Sequence, residues 1–104
     1  MSEEHEPRIT VRIDEDLSDL IPGYLENRRK DIDAIRAALD QGDFETIRVL
    51  GHGMKGSGGG YGFDAITEIG RSLEQAAKSA DADGIKQQVD ELASYLDRLD
   101  IVFG

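Results

Sequence analysis

Near the middle of the chain His52 stands four residues after Arg48 and three before Lys55, with Gly56 and Gly59 four and seven residues further on. On a helix these spacings share one side. An imidazole placed there is bordered by two cations and by two positions without a side chain. Neutral imidazole is a nucleophile near pH 7, cations offset the charge of an incoming phosphoryl group, and glycines leave room for a partner. Arg48 and Lys55 are the only cationic residues between Ala37 and Gly70. The pattern therefore reads as a phosphoryl-accepting histidine, set against the plainer reading of an ordinary exposed one.

Other chemistries fit less well. The only other histidine is His5 and there is no Cys, so metal binding has too few ligands and none is expected. Ser57 lies in no nucleophile elbow. Gly51, Gly53 and Gly56 spell G-x-G-x-x-G after Thr46–Leu50, which could pass for a short strand, but a dinucleotide site needs βαβ units. Lys55 is followed by Gly56 rather than Ser or Thr, so the P-loop order fails too.

Amphipathic stretches surround this segment. Leu25, Ile32, Ile35 and Leu39 follow helical spacings that end near Gln41-Gly42, and Asp43 can cap a second helix through Phe44, Ile47, Leu50 and Met54. Asp64 can cap a third, with Ile66, Ile69, Leu73 and Ala77 on one face; Asp81 or Asp83 can open a fourth, with Ile85, Val89, Leu92, Leu96 and Leu99. A short additional N-terminal helix is expected at Leu17, Leu20 and Ile21, limited by Pro22, after a flexible tail over residues 1–10. No alternation is long enough to predict a sheet. The expected fold is all-α, an antiparallel up-down four-helix bundle in one domain over residues 11–104.

In this frame seven of the twelve residues from Gly51 to Gly62 are glycines, most of them in the second helix. Each costs about 1 kcal/mol relative to Ala in a helix interior. At about 100° per residue, Gly51, Met54 and Gly58 continue the core stripe and His52 faces solvent, with Val49 near its face. Small inner residues such as Gly51 and Gly58 would let a neighbouring helix approach closely.

Twenty-two acidic residues against twelve basic ones give a net charge of −10, which argues against nucleic acid and anionic lipid as partners. No run approaches the length of a spanning helix. A monomer in the cytoplasm is expected.

The string His52-Gly53-Met54-Lys55-Gly56-Ser57, with Gly62 and then Leu73-Glu74, resembles the signature of the histidine phosphotransfer (HPt) domain: His-x-Leu-Lys-Gly-Ser, a Gly ten residues after the His, and a later Leu-Glu. Met54 replaces the Leu, a volume-conserving swap, and Gly58 stands where a second Ser is commoner. The resemblance implies a helical phosphocarrier in a phosphorelay. His52 would be the phosphoacceptor, Lys55 would contact the phosphoryl oxygens, and Gly56 would give clearance. Partners would be response-regulator receiver domains or a hybrid histidine kinase, and the receiver would bring the Mg²⁺ and the aspartate. No cofactor and no kinase activity of this chain's own are expected. Gly59, Val49 and Arg48 are expected on the docking face. The alternative is a helical interaction module that binds through the same face without phosphotransfer.

Overall fold

A computed structural model describes residues 7–104, which form strand β1 (Ile9–Ile13), helices α1 (Ile21–Asp40), α2 (Phe44–Ser57), α3 (Asp64–Lys78) and α4 (Ala82–Arg98), and strand β2 (Leu99–Phe103). Short 3-10 turns occupy Glu15–Leu17 and Gly59–Tyr61. Local chemistry sets the helix ends. Asp43 accepts a hydrogen bond from the Thr46 amide at 3.1 Å and Asp81 one from the Gly84 amide at 3.0 Å, so each caps the helix it precedes. Gly42, with φ of +68°, takes the left-handed conformation that stops α1. Asp64 is the first residue of α3 rather than its cap, and its charge sits in the first turn.

The four apolar stripes meet in one core, in which Ile35, Ile47, Ile66, Leu73, Ile85 and Leu92 are completely buried. Arg29 pairs with Asp97 and Arg36 with Asp90, so α1 and α4 run in opposite directions. Across the start of α1, Tyr24 stacks on Tyr61 and Phe63 with ring centroids 4.3 and 5.9 Å apart. Phe63 is fully buried although it lies in a connection that carries no helical period.

The segment 46–50 belongs to α2, as its helical spacing predicts, and not to the short strand it could pass for. Two sequence expectations change. No separate α-helix forms over residues 17–20: Asp14 caps a single 3-10 turn, and α1 starts at Ile21 with Pro22 in its first turn. A missing N–H costs nothing in that position, so Pro22 starts a helix where it was expected to end one.

The second change is a two-stranded parallel sheet. β1 pairs with β2 in the register Ile9 with Leu99 through Ile13 with Phe103. Leu99, expected as the last apolar residue of α4, has extended backbone and begins β2. Ile9 and Thr10, expected in the tail, begin β1, and Arg8 donates to the carbonyls of Asp97 and Leu99 at 3.1 and 2.7 Å. Residues 1–6 of that tail, with His5, lie outside the described residues.

Candidate functional site

The site begins with the contact between α2 and α3. A Cβ at Gly51 would lie 2.8 Å from the Glu74 amide nitrogen, and one at Gly70 would lie 2.5 Å from that of Lys55. Only glycine on both sides lets the two backbones come this near. The approach places Glu74 of α3 against His52 and Lys55 of α2.

Glu74 is the buried charge of the core, its side chain 5% exposed. Its Oε2 lies 3.0 Å from His52 Nδ1, and its Oε1 lies 2.7 Å from Lys55 Nζ. Lys78, one turn further along α3, has its Nζ 4.0 Å from Oε2. The Lys55 ammonium foremost, helped by the His52 ring, holds the Glu74 carboxyl down to about 2 although burial pushes it up. An ionised carboxylate has no proton to give, so Nδ1 carries the hydrogen of the shared bond. In the neutral ring the lone pair then rests on Nε2. The His52 side chain is 65% exposed. The arrangement offers a fixed tautomer, a nucleophilic nitrogen on an accessible ring, and an ammonium within one turn.

Residues 19–101 match the Hpt domain family. The chain belongs to that family. Hpt domains are histidine phosphotransfer modules of phosphorelays, carriers without a kinase domain that work with receiver domains and histidine kinases. The chain matches no curated protein and no solved structure. No helix among the described residues is long and apolar enough to cross a membrane.

Against this Hpt domain the expected residues separate into three groups. His52 and Lys55 meet at Glu74. Gly56 is open, with nothing within 4 Å of a Cβ built there, and Val49 is 52% exposed one turn before His52. Arg48 and Gly59 are occupied elsewhere. The Arg48 guanidinium donates to both carboxylate oxygens of Glu45, at 3.0 and 2.6 Å. Gly59 has left α2 for the 3-10 turn, where its amide donates to Thr67 Oγ1 at 2.8 Å.

The departures from the Hpt signature have physical reasons here. Met54 is almost wholly buried in the core, as the usual Leu would be. A Cβ at Gly58 would lie 2.6 Å from the Thr67 amide nitrogen, so a second Ser has no space in this seam. The Thr67 hydroxyl fills that region, donating to the Lys55 carbonyl at 3.2 Å. Ser57 turns towards α1, its Oγ 3.0 Å from the Tyr24 hydroxyl.

Sequence reasoning left Glu74 as one letter of a motif and did not select Lys78. Two signals were present. Glu74 follows Gly70 by four residues, on the side of α3 where a glycine admits another helix, and Lys78 follows Glu74 at the spacing of a helical ion pair.

Proposed function

We propose that this chain is a monomeric, cytoplasmic phosphocarrier that takes a phosphoryl group onto His52 from one receiver-domain aspartate and returns it to another. The observation that carries the reading is the His52 Nδ1 to Glu74 Oε2 contact of 3.0 Å. It orients the ring and leaves Nε2 as the attacking atom. In the transfer the Nε2 lone pair forms the N–P bond while the P–O bond to the receiver aspartate breaks and its electrons return to that carboxylate. Nδ1 keeps its proton, so the ring becomes cationic, and the Glu74 carboxylate faces that charge.

Lys55 has the reach to meet phosphoryl oxygens, and its ammonium offsets charge that builds up during transfer. The exposed apolar side chain of Val49 and the empty space above Gly56 form the docking face. Arg48 stays with Glu45 and has the smaller part. The receiver supplies the acidic site and its metal; the carrier supplies a positioned nucleophile.

Incubation with a phosphorylated receiver domain tests the reading. Acid-labile, base-stable phosphate is expected on the wild-type chain and none on His52→Gln, whose far-ultraviolet circular dichroism should remain that of the wild type. Label persisting on His52→Gln would reject His52 as the acceptor.

A further inference from the structure

Glu74 holds three partners at graded distances: Lys55 at 2.7 Å, His52 at 3.0 Å and Lys78 at 4.0 Å. Neutral His52, the Lys55 cation and the Glu74 anion together carry no net charge before transfer. Once the Nε2–P bond has formed, the cationic ring and the dianionic phosphoryl group leave this cluster with one net negative charge. Lys55 also cannot keep its full contact with Glu74 while it serves the phosphoryl oxygens. Glu74 then faces the cationic ring but gives up part of its Lys55 contact beside a dianion, so a further cation closing on its buried carboxylate stabilises the phosphorylated state.

We propose that Lys78 is a positioning residue for the phosphorylated state, closing on Glu74 as Lys55 turns to the phosphoryl group. The inference rests on the phosphotransfer reading above. Lys78 lies four residues after Glu74 on α3, at the outer limit of an ion pair, with a side chain 51% exposed and a flexible stem long enough to move closer. Arg48 is the other cation that feels the Glu74 charge. Its guanidinium is held at both ends of the Glu45 carboxylate, which leaves Lys78 as the cation with freedom to respond. In the resting protein Lys55 is the main compensation of Glu74 and Lys78 contributes least. After transfer the share of Lys78 grows.

This difference between states gives the test. Wild type, Lys78→Gln and Lys78→Arg are each equilibrated with a phosphorylated receiver domain, and the phosphate on His52 is quantified beside the melting temperature of the unphosphorylated protein. Lys78→Gln should melt as the wild type does, yet hold about threefold less phosphate at equilibrium, the scale of a partly exposed ion pair. Lys78→Arg should restore the wild-type partition. An unchanged partition in Lys78→Gln overturns the role of Lys78 and leaves the phosphotransfer reading standing. Equal destabilisation of the resting protein would also overturn it, because the contact would then be merely structural. A wild-type chain that takes no phosphate on His52 removes the phosphotransfer reading and this inference with it.

Discussion

Where α2 faces α3, a methyl group at Gly51 would press on the Glu74 backbone at 2.8 Å; where α2 carries His52, a methyl group at Gly53 or Gly56 would meet nothing within 4 Å. All of these glycines carry the same helical penalty of about 1 kcal/mol. On the inner side the fold itself accounts for the penalty: close approach completes the core and brings a buried carboxylate to the histidine. On the outer side nothing among the described residues accounts for it. Among the described residues a Cβ there meets open space, and under the function proposed above that space is left for the receiver domain. One helix thus uses the absence of a side chain in two ways, one read in stability and the other, under the proposed function, in partner access.

The inner side gives the largest expected effect. In Gly70→Ala the new methyl would lie 2.5 Å from the Lys55 amide nitrogen, 2.7 Å from the Gly51 carbonyl and 2.7 Å from Met54 Cβ. Two of these are backbone atoms, which cannot turn aside. Despite the better helix propensity of Ala, the substitution should cost about 1–3 kcal/mol, the range of overpacked cores. It should also slow phosphate uptake, because α3 carries Glu74 away from His52 as the seam opens. Thermal melting of Gly70→Ala at or above the wild-type temperature would mean that the two helices are not in this contact.

A second effect is set by pH at the same seam. The Glu74 carboxyl lies at about 2 against an ordinary value of 4.5, chiefly through Lys55. A folded-state value below the unfolded one gives stability that is present above 4.5 and is lost as the pH falls towards 2. Asp43 and Glu45, held low by Thr46 and Arg48, titrate in the same acid range, so the wild-type curve alone does not isolate Glu74. Glu74→Gln keeps those two groups. The melting temperature of the wild type should exceed that of Glu74→Gln at neutral pH, and the gap should close as the pH falls from 4.5 to about 2. A gap that stays constant through that range would show that the Glu74 charge adds nothing to the fold. At neutral pH the same variant should transfer phosphate on the order of tenfold to a hundredfold more slowly, the usual consequence of freeing an oriented imidazole.

The comparison of the two sides also separates what was readable in the sequence from what was not. Helix caps at Asp43 and Asp81 are bonds across three residues, and the stripes that bury Ile35, Ile47, Leu73 and Leu92 repeat every turn, so both are local and legible. The one-turn spacing of His52 and Lys55 is legible for the same reason. The sheet was not, because five alternating residues are too few to stand out and each strand finds its partner at the far end of the chain. Leu99 fits the stripe of α4 as well as it fits a strand. Phe63 is buried from a connection where no period exists to announce it. Glu74 is central to the site yet reaches it from another helix, and only the glycines at 51 and 70 hint that those helices touch there. Arg48 differs: spacing places it on the side of His52, while Glu45, three residues earlier on the same helix, holds its guanidinium.

The smallest expected effect on the fold comes from the outer side, and it is the most direct test of why those glycines are there. Gly56 lies one turn beyond His52, within α2 and with open space above it. A glutamine at this position meets solvent in the free protein and gains helix propensity, so Gly56→Gln should melt at the wild-type temperature or above it, by up to about 1 kcal/mol. In the complex the same side chain would stand where the rim of the receiver's active site must come. Misplacing the reacting groups by even a fraction of their contact distance is costly, so phosphate uptake from a phosphorylated receiver should slow by roughly tenfold or more. Phosphoramidate is small and needs no docking face. Its reaction with His52 in Gly56→Gln should stay near the wild-type rate, and the ratio of the two rates measures clearance apart from chemistry. If both donors slow equally, the substitution disturbs the histidine itself, and the open side of α2 is not kept open for a partner.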